Sequence, residues 1–345
     1  MVSQKTPRPT MAQVAKLAGV SPTTVSMVIN DDPRATSISA PTRDRVAEAI
    51  RTLGYRPNYA ARGLRTQKSE TLGFITDEIA TTPFAGDTIR GAQEYAWKRN
   101  HLLTVFNTGG DPSVQEAAIE MMLGRQVDGI IFGAMYTREV SPPPRSLERS
   151  HAVLLNCYAP GTDYISVIPA EQEGARTATQ ILTDAGHRRI GFINGPAGYA
   201  AKERLKGHRR ALKEFGIRYD PSLVRQGNYQ SDGGYEQALT LLRRDDAPTA
   251  LFCANDRTAV GAYYAIMQLG LSIPGDVSVV GYDNQLELAA YASPPLTTIQ
   301  LPHYEMGYAA AQYLLEGAPS NGQASTVHEI DCPAVLRDSV GPPPN

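Results

Sequence analysis

From Leu72 onward short apolar runs alternate with amphipathic helical stretches, and partway along the chain the alternation starts again. The first series runs "TLGFITDE", a helical stretch over 84–99, "HLLTVFNT", a second over 113–125, "VDGIIFGAM" and "HAVLLNCY". After "YISVIP" the second series takes 170–185, "RRIGFING", 200–215, "LVRQGNY", 233–243, "ALFCAND", 258–269 and "VSVVGYDN". A helix between two strands carries the chain back to the end of the sheet where the first strand began, so neighbouring strands run parallel. The double rhythm predicts two parallel-sheet lobes.

Open parallel sheets take ligands beyond the carboxyl ends of their strands. Those positions hold Asp77, Phe84 and Asn107 in the first lobe, and Asn194, Tyr229, Asn255, Asp256 and Asp283 in the second. Arg204 lies one turn into the helix after "FINGPAGYA". Carboxylate, amide and guanidinium groups bond hydroxyls bidentately while rings stack on a sugar's C–H face, so the set suits a polyol. Taken singly, a strand-end Asp or Asn can equally cap the following helix, and Asp256 reads that way. Asp77, Phe84, Arg204, Tyr229, Asn255 and Asp283 converging on one cleft point to carbohydrate. A purine is the alternative, because stacking plus Arg suits a base too.

The net charge of −2 hides an asymmetry. Residues 1–66 carry ten Lys and Arg against four acids, a balance of +6, which leaves −8 for the remainder. Such a head is either a solvated helical surface or a nucleic-acid footprint. Its stretch "TMAQVAKLAGVSPTTVSMVIND" is apolar at Val14, Leu17, Val20, Val25 and Ile29. Thr10 with Gln13 predicts a capping box and a helix from Met11 to near Gly19. Ser21-Pro22 starts a second helix with Val25, Val28 and Ile29 inward, and Ser39 with Thr42 starts a third that ends at Gly54. Two short helices joined by a tight turn are a bundle corner or a helix-turn-helix. In the second reading Pro22, Thr23 and Met27 face base edges, and Ser21, Thr24, Ser26 and Asn30 bind phosphates.

Beyond Gly54, "YRPNYAARGLRTQKSE" reads as a linker. Asn58 is placed to cap a helix carrying Ala61, Leu64 and Arg65, too short to be stable alone in water. It is either a frayed linker helix or a segment that folds against DNA, with Leu64 wedged between base steps of a minor groove.

Other classes are disfavoured. No run of eighteen apolar residues occurs, and "MVSQKTPRPT" lacks the apolar core of a secretory signal, so a soluble cytoplasmic protein without a membrane partner is expected. Cys157, Cys253 and Cys332 have no CxxC or Cys/His spacing, so they read as buried free thiols and no metal site is indicated. GxSxG, HExxH, P-loop and GxGxxG patterns are missing from the contexts they require, so no catalytic residues, cofactor or enzyme activity is expected. The six histidines, His303 among them, read as surface or packing residues. A secreted sugar-binding transport component is the rival of another class, and the basic head argues against it.

"AQVAKLAGVSPTTVSMVIN", its spacing to "TRDRVAEAIRTLGYRPNYAARGLR", and the two-lobed body together resemble the lactose-repressor (LacI/GalR) family of bacterial transcription regulators over nearly the whole chain. The resemblance implies an all-α helix-turn-helix headpiece with a hinge helix, followed by a two-lobed α/β domain like the periplasmic binding proteins. It divides the chain into a headpiece (1–56), a hinge helix and linker (57–69) and an effector-binding and dimerisation domain (70–345). The first lobe is expected over about 70–167 and 297–322, the second over about 168–293 and 325–340. It implies a homodimeric repressor of carbohydrate genes that a sugar, including an oligosaccharide, releases from operator DNA. It places Leu64 as the minor-groove wedge and Pro22, Thr23 and Met27 at base-reading positions. Met27 stands where many members carry Arg or His, so a bidentate guanine contact is not available there. "ERLKGHRRAL" matches the family's effector contact at Arg204, "ANDRTAVGA" at Asn255, "VVGYDN" at Asp283 and "TPFAGD" at Phe84, with Tyr229 as an aromatic platform. Ala85 and Ala200 are small where some members are larger, and Leu301 replaces a frequent Gln.

Overall fold

A computed structural model of the chain describes residues 9–29, 36–56, 69–82, 86–319 and 326–344. The chain divides between Ser69 and Glu70 into two units.

In the first unit Thr10 opens helix α1 (Met11–Ala18) through a full capping box. The Thr10 hydroxyl accepts the Gln13 N–H at 3.3 Å, and the Gln13 amide oxygen accepts the Thr10 N–H at 2.7 Å. The helix stops at Gly19, whose φ of 64° turns the chain. Helix α2 (Pro22–Ile29) then begins under Ser21, whose Oγ accepts the Thr24 N–H at 3.1 Å. Helix α3 (Ala40–Leu53) closes the bundle. Ser39 precedes α3 without capping it, because its hydroxyl pairs with that of Thr42 at 2.9 Å instead of reaching the backbone. Val14, Ala15, Ala18, Val25, Val46, Ala49 and Tyr55 form the core, with Val20, Val28 and Ile29 packed against it. Leu17 is not part of it; α1 turns Val14, Ala15 and Ala18 inward and leaves Leu17 54% exposed. Arg45 Nε donates to the Ala18 carbonyl at 3.3 Å, tying α3 to the end of α1.

The second unit follows the double rhythm. Strands β1 (Thr71–Thr76), β2 (Leu102–Asn107), β3 (Gly129–Glu139), β4 (Ala152–Tyr158) and β5 (Ile165–Pro169) alternate with α4 (Gly86–Lys98) and α5 (Pro112–Gly124). The series restarts with α6 (Glu171–Asp184), β6 (Ile190–Asn194), α7 (Tyr199–Glu214), β7 (Val224–Gln226), α8 (Ser231–Leu242), β8 (Ala250–Cys253), α9 (Asp256–Gln268) and β9 (Ser278–Asp283). After the single turn α10 (Leu286–Ala289) come β10 (Thr297–Gln300), α11 (His303–Glu316), β11 (Val327–Ile330) and β12 (Ala334–Val335). The first sheet has the order β11-β5-β4-β3-β1-β2 and the second β12-β10-β9-β8-β6-β7. All pairs are parallel except the two-residue edge strand β12, which runs antiparallel to β10.

The crossings between lobes fall elsewhere than the expected lobe limits of 293/297 and 322/325. Thr297–Gln300 pairs with β9 in the second sheet, and Val327–Ile330 pairs with β5 in the first. The chain therefore leaves the second lobe after Gln300 and returns between Ile330 and Ala334. Short apolar runs flanked by turn residues do not say which sheet edge they join. Each sheet is sandwiched between two apolar clusters. Phe74, Ile131 and Leu155 lie on one side of the first sheet and Ile75, Ile130 and Leu154 on the other. Phe192, Phe252 and Tyr282 on one side of the second sheet oppose Ile193, Leu251 and Val279. The cysteines are buried and free, and burial pushes the Cys157 thiol up to about 12. Among the described residues no helix is long and apolar enough to cross a membrane.

Candidate functional site

The strands of both lobes end at a cleft of about 710 Å³. Its deepest charged feature is Arg204, which α7 presents one turn from its start and which is buried. Nε donates to Glu171 Oε2 at 2.7 Å and Nη2 to Oε1 at 3.0 Å, a bidentate pair, and Nη1 donates to the Ala254 carbonyl. The guanidinium carbon lies 3.7 Å from the centre of the Tyr282 ring. Burial works against the Arg204 charge, and Glu171 leads the groups that more than offset it. Glu171 is the first residue of α6, where the helix N-terminus favours its negative charge. With the guanidinium satisfied on one side, its remaining edge faces the cleft and Asp283, whose Oδ1 is 3.9 Å from Nη2.

Asp283 closes β9 with a φ of 102°, and Asn284 follows at 55°. Burial pushes the Asp283 carboxyl up to about 6 while Arg204 and the Gln285 amide pull it down. Gln285 Nε2 donates to its Oδ2 at 3.1 Å. Tyr229, at a φ of 62°, lays its ring over the backbone of Gly195. A Cβ at that glycine would sit 2.0 Å from Tyr229 Cζ, so only glycine lets the ring take this place. Asn255 is the N-cap of α9. Its Oδ1 accepts the Thr258 N–H at 2.8 Å and its Nδ2 donates to the Tyr229 carbonyl at 3.0 Å, so it sets the tyrosine's height while lining the cleft.

Arg204, Tyr229, Asn255 and Asp283 therefore share one wall. Phe84 lies outside the described residues. Asp77 does not line the cleft: it is buried behind it, where Oδ1 accepts the Glu78 and Met135 N–H groups and Oδ2 holds Arg138 Nη1 at 2.7 Å. Arg138 is what reaches the cleft from this pair. The apolar run "VDGIIFGAM" predicts a strand ending at Met135, whereas β3 runs to Glu139 after a register shift against β4 between Gly133 and Arg138. That extension carries Tyr136, Arg138 and Glu139 to the first-lobe wall. Asn156 and Tyr158 of β4 complete the wall, and the Tyr158 ring lies 5.5 Å from that of Tyr199 on the second lobe.

His303 is no bystander, since it lines the floor beside Leu301, with burial pushing it down to about 4. Asp256 is not a cap either; Asn255 performs that role and the Asp256 carboxylate is bound elsewhere. Glu171 and Tyr199 had one available signal, each being the first residue of the helix that follows a strand.

In the headpiece, Ser21, Pro22 and Thr23 are exposed at the start of α2, with Thr24, Ser26 and Met27 half-buried. The Ser21 and Thr24 hydroxyls pair at 2.9 Å. Asn30, Asn58, Ala61, Leu64 and Arg65 lie outside the described residues.

A helix-turn-helix unit joined to a two-lobed binding domain defines a ligand-responsive DNA-binding regulator. Residues 10–58 match the family described as bacterial regulatory proteins, lacI family, and residues 179–340 match the periplasmic binding protein-like domain. The HTH-type transcriptional repressor PurR of Vibrio vulnificus is 35% identical over 336 residues, 96% of this chain and 98% of that protein. The solved Lac repressor dimer bound to operator and the anti-inducer ONPF is 28% identical with a TM-score of 0.79, covering 97% of this chain and 100% of that one. A complex of the transcriptional regulator CelR with cellobiose is 29% identical with a TM-score of 0.65, covering 96% and 100%. The chain belongs to the lacI family of bacterial regulatory proteins and is a DNA-binding transcriptional repressor, not an enzyme.

Proposed function

We propose that this repressor senses a sugar of more than one ring, held between the lobes, and that the bound sugar releases it from operator DNA in the cytoplasm. The observation that carries this reading is the cleft wall itself. The buried Arg204 edge and the Asp283 carboxylate are spaced to take neighbouring hydroxyls, beside the Tyr229 face and the small side chains of Pro196, Ala197 and Ala200. A purine would use the same arginine and ring, and the relative named PurR keeps that reading in view. The cleft, about 710 Å³, has room for a ligand of more than one ring. A thermal-shift panel of cellobiose, ribose and purine bases separates the two, because a ligand of the folded state raises stability by RT ln(1 + [L]/Kd). A shift with the bases alone overturns the sugar assignment.

On the DNA side, residues 1–56 act as the headpiece and 57–69 as the hinge. Pro22, Thr23 and Met27 read bases, Ser21, Thr24, Ser26 and Asn30 bind phosphates, and Asn58, Ala61, Leu64 and Arg65 serve the minor groove. Affinity should fall steeply with salt as counterions are released. Leu64→Ala should weaken specific binding far more than nonspecific binding, whereas Arg65→Ala should weaken both. Equal losses in Leu64→Ala overturn the wedge.

Two copies pair through the lobes of the body. Trp97 on the first lobe and Met267 and Tyr291 on the second are 67%, 69% and 78% exposed in the single chain, which suits a surface that a second copy covers. Tyr291→Asp should shift the dimer toward monomer in sedimentation equilibrium.

A further inference from the structure

The roles assigned so far leave the fully buried carboxylate of Asp256 without a task. Its Oδ1 accepts the Thr298 hydroxyl at 2.6 Å and its Oδ2 accepts the Gln285 N–H at 2.6 Å. A Cβ at residue 281 would sit 2.4 Å from Oδ1, so Gly281 makes room for the carboxylate. Arg337 approaches the same turn: Nη2 donates to Asn284 Oδ1 and Nη1 to the Leu296 carbonyl, each at 2.7 Å. The Asn284 amide in turn donates to Gln300 Oε1 at 3.2 Å, and the Leu301 N–H donates to the Asp283 carbonyl at 3.3 Å. Enclosed by these bonds are Asp283 and Asn284, two consecutive non-glycine residues at positive φ. Such a pair persists only where its surroundings over-determine it.

The placement of the anchors matters as much as their number. Gln300 and Leu301 stand where the chain leaves the second lobe, and Arg337 follows β12, the first strand after it returns. We propose that Asp256 and Arg337 are positioning residues that hold the Asp283–Asn284 turn in its left-handed form and fasten it to two of the three crossings between the lobes, those after Gln300 and after Ile330. The proposal rests on the reading of Asp283 as an effector contact. Rotation of one lobe about the crossings is delivered to the carboxylate, and a ligand seated on that carboxylate resists the rotation, so binding and lobe geometry are coupled in both directions.

The test uses the full chain with Arg337→Met, which keeps the stem and removes the donors, and Thr298→Val, which removes one donor to Asp256. Crystal structures of both unliganded variants are expected to show Asp283 leaving the left-handed region and its carboxylate moving off the Arg204 edge. Cellobiose affinity, measured by calorimetry, is expected to fall about tenfold in each variant while the melting temperature stays within a few degrees of wild type. An unmoved turn in both crystal structures overturns the proposal, as does a lowered melting temperature with cellobiose affinity unchanged. If wild type takes no cellobiose, the sugar reading fails on that probe, and the crystal structures alone decide the positioning role.

Discussion

The headpiece and the body solve recognition in opposite ways. The headpiece presents its described candidate residues within one short stretch, Ser21 to Met27 at and after the start of α2, exposed or half-buried and supported by a core of a few apolar side chains. The body assembles its cleft from segments more than a hundred residues apart, and its decisive charges, Arg204 and Glu171, are buried and paired before any ligand arrives. A surface that meets a large polyanion needs little prior desolvation. A cleft that selects a small molecule must hold its polar groups fixed, because each is worth more in a water-poor site and costs more when misplaced.

The contrast predicts where damage will be greatest. Arg204→Met should leave Glu171 buried and without its bidentate partner, costing about 3–5 kcal/mol. Urea denaturation should show that loss in the body, while nonspecific DNA binding at low salt stays near wild type. If DNA binding falls in parallel, the two units are not energetically separate.

In the headpiece the largest effect should come from the core. Val14→Ala or Val25→Ala removes two methyl groups from a fully buried site and should cost about 2 kcal/mol. DNA binding should then weaken at elevated temperature with the thermal shift given by the cleft ligand unchanged, and loss of that shift would break the comparison.

On the proposed effector role of Asp283, Asp283→Asn should abolish the response to the cleft ligand at small cost in stability. The sign with pH follows from the raised carboxyl. The folded state holds its proton up to about 6, whereas the unfolded chain releases it at the ordinary carboxylate value near 4. Wild-type stability therefore falls as pH rises across that window, and Asp283→Asn should remove that part of the fall in melts taken from pH 4 to 7. An identical pH dependence in both proteins refutes the buried-acid assignment.

Thr10→Ala should have the smallest effect. Loss of the capping box should cost about 1 kcal/mol and be visible only in melts of the headpiece.

Much of the molecule was legible in advance where the information is local. The capping box at Thr10, the proline at the first position of α2, and the period of the strand–helix rhythm each arise from neighbours in sequence, and the elements formed within a few residues of the predicted places. Arg204, Tyr229, Asn255 and Asp283 were legible because parallel sheets put their strand ends at one edge. Asp77 met the same rule and still lies behind the wall, because the shifted register of β3 brought the Met135 N–H and Arg138 to its carboxylate.

What the sequence determined by itself was the set of elements and the end of each sheet at which a ligand would sit. Both follow from periodicity and chain direction, which act between near neighbours. Only the tertiary structure decided which sheet received Thr297–Gln300 and Val327–Ile330, that Glu171 would neutralise Arg204, and that Asp256 and Arg337 would clamp the Asp283 turn. Those outcomes depend on pairing between strands distant in sequence and on burying charge next to its partner. Both are settled by packing across tens to hundreds of residues, and neither leaves a mark on the local pattern.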